Sequence, residues 1–167
     1  YFHWAGPCYG LFGLGLGLYF SSMGAGKVGG PVLAGTLRLA VVAKVHGYCL
    51  AGGTQLATIC DVTFVSNECK VGTPQLPLGA GYVASSWTWL VGPKKAKEMF
   101  FPTGEMITGA EAVEWGLFNR AVPADELDET VAAYVAKVSR TPKDIIALQK
   151  QSANRIQEIQ GFREAML

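Results

Sequence analysis

The chain has 167 residues, 50% of them hydrophobic and 16% charged, which is enough for one domain of ordinary size with a buried core. A formal net charge of +1 argues against electrostatic capture of nucleic acid, for which a clustered basic face would be wanted. Four cysteines at positions 8, 49, 60 and 69 lack C-x-x-C spacing and only two histidines are present, so neither a zinc site nor a disulfide framework is written here, and a reducing, cytoplasmic compartment fits best.

Residues 1–40 form an atypical, glycine-rich apolar segment that contains no acid and stays unassigned. Its run Y-G-L-F-G-L-G-L-G-L-Y-F over 9–20 is too short and too broken by glycine to span a membrane, which needs about 20 apolar residues. No charged stretch precedes it, so it does not read as a signal peptide. The stretch G-A-G-K-V-G at 24–29 satisfies G-x-G-x-x-G, yet no acid occurs before Asp61 to hold a ribose. As a phosphate loop it also fails, because Ser21 stands where the first glycine belongs and Val28 replaces the magnesium-holding Ser or Thr. A glycine-rich loop is the expectation.

The next pieces read as strands at 41–45, 61–66 and 69–71, with a helix over about 53–59 between the first two. Gly47 marks a turn, and Ala51, Gly52 and Gly53 open the helix. A strand that delivers the chain onto small residues at a helix start leaves free N–H groups, with the positive end of the dipole behind them. Such a place suits an oxyanion; the alternative is a glycine turn serving only close strand-to-helix packing. His46, beside the turn, reads as a packed or hydrogen-bonded side chain rather than a general base. Gln55 falls in the helix and Gln75 in a turn after Pro74, where each could simply be hydrogen-bonded.

Further along, 82–91 reads as a helix closed by Gly92 and restarted at Pro93, where proline suits a first turn. Its Trp87 and Trp89 either pack in the core, the favoured reading, or line an apolar pocket. Lys94, Lys95 and Lys97 read as a solvated face with no role. Thr108 and Glu111 form a T-x-x-E capping box and Gly116 supplies the stop. Asp125 is placed to cap a helix whose Leu127, Val131, Val135 and Val138 make a buried stripe. Thr141 and Pro142 open the last helix, which carries Ile145, Leu148, Ile156 and Ile159 and meets Gly161.

Read as a whole, V-A-K-V-H-G-Y-C-L-A-G-G-T-Q-L-A-T-I-C-D-V at 42–62 resembles the signature of the crotonase superfamily, the enoyl-CoA hydratases and isomerases. The resemblance continues in K-V-G-T-P-Q-L-P-L-G at 70–79, in G-P-K-K-A at 92–96 and in T-G-A-E-A-V-E-W-G-L-F-N-R-A-V-P at 108–123, so that residues 42–155 are covered. It implies an α/β fold, a crotonase-like spiral of ββα units with C-terminal helices, in which 41–167 form the core. Family members are commonly much longer, so a partial chain truncated in its C-terminal part is expected.

The same resemblance assigns chemistry. The Gly52 N–H corresponds to one of two donors that hold a thioester oxygen as it becomes an enolate. The second belongs to a loop whose pattern does not occur in residues 1–40. Family hydratases carry glutamates at the positions of Gln55 and Gln75, one taking a proton and the other delivering it. Glutamine cannot titrate. General acid–base help is worth roughly 10²- to 10⁴-fold per group, and no Asp or Glu occurs in 69–97 to replace either carboxylate. The resemblance therefore implies an acyl-CoA enzyme, a lyase or isomerase of fatty acid metabolism, with weak ordinary hydration. A decarboxylase, an isomerase or a non-catalytic acyl-CoA-binding subunit are the alternatives. It implies no cofactor beyond the coenzyme A moiety of the substrate, no metal, no nucleic acid or membrane partner, and a homotrimer or hexamer for a full-length chain.

Overall fold

The structure, a computed structural model, describes residues 16–20, 38–74 and 85–166. Gln75, the glycine pattern at 24–29, Cys8 and the start of the helix expected from residue 82 lie outside the described residues. In chain order the elements are β1 (Leu16–Phe20), β2 (Val41–Val45), β3 (Tyr48–Leu50), α1 (Gly52–Ile59), β4 (Val62–Ser66), β5 (Lys70–Gly72), α2 (Ser85–Phe100), β6 (Ile107–Thr108), α3 (Gly109–Glu114), β7 (Arg120–Val122), α4 (Leu127–Val138), α5 (Lys143–Ile159) and α6 (Phe162–Met166).

The strands divide between two sheets. One has the order β1-β2-β4-β7 and the other β3-β5-β6. Strands β2, β4 and β7 run parallel, with Val42 opposite Val62 and Phe64 opposite Arg120, and β1 adds antiparallel to β2. In the second sheet β3 and β5 are parallel and β6 is antiparallel to β5. From β2 to β5 the chain lays one strand in the first sheet and the next in the second, β2 then β3 and β4 then β5. The turn between β2 and β3 is made at Gly47, whose φ of 69° is the left-handed conformation glycine takes without strain.

Every residue of β2 is buried, including Lys44. A strand covered on both faces needs a continuous apolar run rather than an alternating one. Ala43 and Val45 pack with Cys49, Ala57, Val65, Cys69, Val71, Trp87, Met99 and Phe118 in the larger core. Val42 and Phe64 face the other way, onto Leu127, Val131 and Val135 of α4. Lys44 shares that second face by the period of two along a strand, and its ammonium is paired with Asp128 on α4. The expected stripe on α4 is therefore present, with Val138 half-buried at its end.

Several local expectations hold. Gly92, at φ 78° and ψ 163°, interrupts α2, and the helix resumes at Pro93. Thr108 and Glu111 make both halves of the capping box, and Gly116 follows α3 at φ 81°. Those bonds from Thr108 hold the exposed Glu111 carboxyl below the ordinary glutamate range. Lys94, Lys95 and Lys97 are exposed, with Lys95 paired to Glu98 and lying over the Trp115 ring.

Four details differ. Asp125 does not cap α4: Glu126 occupies that place and no side chain bonds the helix start, because a turn with Glu126 N–H on the Pro123 carbonyl puts Asp125 one residue early. The third expected strand is shifted by one residue, to Lys70–Gly72, and β3 was not anticipated, since three residues are too few to show alternation. Finally, β1 turns five residues of the apolar run into a paired strand.

Candidate active site at the start of helix α1

The start of α1 is built by Ala51. Its N–H donates to the Gly72 carbonyl at 3.0 Å, tying the turn to the end of β5. Its own carbonyl accepts from the Thr54 N–H at 3.1 Å, the Gln55 N–H at 3.3 Å and the buried Thr54 hydroxyl at 2.7 Å. With φ 51° and ψ −120°, Ala51 is the non-glycine residue of positive φ among those described. That conformation crowds a Cβ and persists only where the surroundings over-determine it. Here three donors on one carbonyl and a strand carbonyl on the N–H do so.

The consequence is a pair of open amides. Among the described residues no acceptor meets the N–H of Gly52 or Gly53, as expected for the first positions of a helix. Gly52 is exposed, and a Cβ built on either glycine would touch nothing within 4 Å. No acidic side chain sits in the first turn of α1, so its partial positive end is not neutralised from within the helix.

The body of α1 is fixed on both sides. Ala57 lies in the core. The Thr58 hydroxyl is 2.7 Å from that of Ser86 on α2 and donates to the Gln55 carbonyl at 3.0 Å, while the Thr63 hydroxyl of β4 donates to the Ala57 carbonyl at 2.7 Å. Gln55 is half-buried in the first turn, and its carboxamide makes no hydrogen bond among the described residues. The structure thus brings Gly52 and Gln55 into one turn of helix; where Gln75 sits relative to them lies outside the described residues.

Other candidates are set aside by their surroundings. His46 is exposed and forms no hydrogen bond among the described residues, contrary to the packed side chain expected, because Gly47 turns the chain at the surface there. Trp87 is fully buried in the core and Trp89 stacks edge-on with Phe162 at 5.2 Å, so both pack as favoured. Burial pushes the thiols of Cys60 and Cys69 up to about 12 and that of Cys49 well above its usual value, which leaves none of the three a thiolate nucleophile at neutral pH. No cluster of metal-ligating side chains occurs among the described residues. A depression of about 620 Å³ lies against β7 and α4 between Arg120, Glu126, Tyr134 and Lys137, and contains neither Gly52 nor Gln55. It is an open groove of mixed charge, so the helix start, with its unused donors, remains the stronger candidate.

Sequence reasoning missed two features. Nothing in an alanine announces a positive φ, so the geometry of Ala51 was invisible. Thr73, just past β5, is 1% exposed and its hydroxyl has no partner among the described residues; its place directly before Pro74 and Gln75 was the available signal.

Comparison with known proteins agrees with the strand–turn–helix geometry. The profile of the enoyl-CoA hydratase/isomerase family matches residues 32–165, opening ten residues ahead of the Val42 motif. The short-chain-enoyl-CoA hydratase of Clostridioides difficile is 37% identical over 115 residues, 67% of this chain and 73% of that protein. The mevalonyl-coenzyme A hydratase sidH of Aspergillus fumigatus is 30% identical over 128 residues, 75% of this chain and 47% of its own. A crystal structure of an enoyl-CoA hydratase/isomerase from Xanthobacter autotrophicus Py2 superposes with a TM-score of 0.77 at 32% identity, over 81% of this chain and 51% of that one. Apart from the clostridial protein, the chain spans about half the length of the curated relatives it matches. A match over most of the described core, with the two-sheet spiral and the glycine-led helix both in place, makes this chain a member of the enoyl-CoA hydratase/isomerase family.

Proposed function

We propose that the chain binds a fatty acyl-CoA thioester with its carbonyl oxygen against the Gly52 N–H and stabilises the enolate that forms there. The observation that carries this reading is the exposed amide of Gly52, met by no acceptor among the described residues and set at a helix start by the constrained Ala51. When a nucleophile adds to C3 of an enoyl thioester, negative charge collects on the thioester oxygen. A fixed N–H aimed at that oxygen lowers the barrier without reorganisation, and one such donor is worth roughly 10²- to 10³-fold. Hydration also needs a proton removed from water as its oxygen joins C3, and a proton delivered to C2. Gln55 and Gln75 can orient a water but can do neither, so ordinary hydration is weak. No cofactor beyond the coenzyme A portion of the substrate takes part.

The two glutamines favour a second reading at the same site: a decarboxylation or isomerisation in which charge stabilisation does most of the work. A non-catalytic acyl-CoA-binding subunit is the limiting case. The apolar side chains of Ile145, Leu148, Ile156 and Ile159, between 44% and 74% exposed, support association into the trimer or hexamer proposed for the full-length protein. We place its work in the cytoplasm, a reading supported by the free thiols of Cys49, Cys60 and Cys69 among the described residues.

Thermal melting with crotonyl-CoA against free CoA tests the reading. At a hundredfold excess over Kd, binding adds about 2.7 kcal/mol to stability. Gly52→Pro removes the N–H at a position where helices tolerate proline, and should abolish the extra shift given by the acyl thioester while helix content is retained. Introducing Gln55→Glu with Gln75→Glu should raise crotonyl-CoA hydration by at least about 10²-fold. Vigorous hydration by the unaltered chain, lost on changing Gln55 alone, would contradict this account of glutamine.

A further inference from the structure

The Ala51 carbonyl and the Gly52 N–H belong to one planar peptide unit, so whatever fixes the carbonyl also aims the donor. At φ 51° and ψ −120°, Ala51 has the geometry of the first central residue of a type II′ turn, a place dominated by glycine, asparagine and aspartate. Rotating that single unit by half a turn would take ψ to about 60° and put Ala51 in the left-handed α region, the positive-φ well that a residue with a Cβ tolerates best. Gly52 has no Cβ and accepts the accompanying change in its own φ. Local sterics at Ala51 therefore favour the flipped unit, in which the Gly52 N–H points away from its present direction. The fold holds the other orientation. Three donors on the Ala51 carbonyl do this: the Thr54 and Gln55 N–H groups at 3.1 and 3.3 Å, and the Thr54 hydroxyl at 2.7 Å. The first two are supplied by any first helical turn, and only the hydroxyl depends on residue type. Thr54 is fully buried, so water does not compete for that bond.

Resting on the reading of Gly52 as the thioester-oxygen donor, we infer that Thr54 is a positioning residue whose hydroxyl, bonded to the Ala51 carbonyl, keeps the Ala51–Gly52 peptide unit turned so that the Gly52 N–H faces the ligand. Its bond to the carbonyl also polarises the unit, which strengthens the N–H as a donor. Thr54 itself touches no substrate and moves no proton. It acts through one peptide plane, and its effect depends on the Cβ of Ala51, which is what makes the flipped orientation competitive.

The test combines infrared difference spectroscopy of the thioester carbonyl of bound crotonyl-CoA with calorimetric titration of crotonyl-CoA and free CoA, neither of which needs turnover. On the unaltered chain the bound carbonyl band should lie below that of the free thioester, as it does when an N–H meets the oxygen. Thr54→Val keeps the shape and removes the donor. It should lose at least half of that displacement and weaken crotonyl-CoA about 5- to 10-fold, the size of one net hydrogen bond, while free CoA, which reports that the variant is folded, stays within about twofold. Thr54→Ala should behave alike, and Thr54→Ser should restore both readouts. In an Ala51→Gly background, where no Cβ favours the flipped unit, Thr54→Val should cost less than about twofold. A threonine that merely stabilises the fold would lower the melting temperature of the valine and alanine variants and leave the band of the bound thioester where it is. That outcome, failure of serine to restore the band, or an equal loss in the Ala51→Gly background would each overturn the assignment. If the unaltered chain binds no crotonyl-CoA, or binds it with no displacement of the band, the Gly52 reading itself has failed; a displacement that survives Thr54→Val defeats only Thr54.

Discussion

A Cβ at positive φ is the costliest single feature of the site turn. Residues held in sparsely populated backbone regions carry roughly 1–3 kcal/mol of strain, and Ala51 sits at φ 51° and ψ −120° to aim the next amide outward. Glycine would adopt that conformation freely, against a loss of about 0.4–1 kcal/mol from its looser unfolded chain. Ala51→Gly should therefore stabilise the protein by about 1 kcal/mol, read as a rise of about 2–4 °C in melting temperature. A fall of similar size would mean that the methyl group of Ala51, a residue 5% exposed, is worth more in packing than the strain it incurs. At this scale the sequence was readable where chemistry depends on residue type alone. Two glutamines could be seen to lack a titrating proton without any coordinates. Backbone angles and orphaned hydroxyls depend on what surrounds a residue, so neither Ala51 nor Thr73 stood out.

Short elements are held by contacts that only the folded chain creates. Helix α3 begins at Gly109, where an added Cβ would lie 2.1 Å from the Ser66 carbonyl oxygen and 2.8 Å from a Val65 methyl. Its start is clamped there, since the Ala110 N–H reaches the Asn67 carbonyl at 3.2 Å and the Asn67 N–H reaches the Val122 carbonyl at 2.8 Å. Gly109→Ala must push α3 off the end of β4, at a cost of about 1–3 kcal/mol. Gly116→Ala is a useful contrast: open space surrounds it and only its φ of 81° resists. In urea titrations Gly109→Ala should lower the midpoint with an unchanged slope, the signature of lost stability without altered compactness. If the two alanine variants lose the same amount, backbone angle rather than close approach explains Gly109. The capping box at Thr108 and the stop at Gly116 were legible because they act over three or four residues. The close approach at Gly109, β3 and the antiparallel β1 depend on distant partners, and the sequence carried no local trace of them.

On the scale of the whole molecule, α5 is the least integrated part. None of its 17 residues is buried, whereas α4, of 12, buries Leu127, Val131 and Val135. In α5, Ile145, Leu148, Ile156 and Ile159 are all exposed. What attaches the helix is largely polar: Lys150 donates to Asp61 at 2.7 Å and to the Leu39 carbonyl at 3.1 Å, and the same Asp61 oxygen accepts the Val41 N–H at 2.7 Å. Beyond α5, Phe162 adds the ring contact with Trp89 on α2. With Lys150 and Asp61 at 8% and 24% side-chain exposure, their charge-assisted bond is only partly screened from solvent and is worth about 1.5 kcal/mol. Asp61→Asn keeps an acceptor for Val41 and removes the charge. Regions that bury little apolar surface open separately from the core. Native-state hydrogen exchange should then show protection falling about tenfold or more across 143–159, while the amides of β2 and β4 change by less than twofold. Equal loss in helix and sheet would show instead that α5 unfolds only with the core, and that Lys150 acts as a core residue rather than as the fastening of a separable arm.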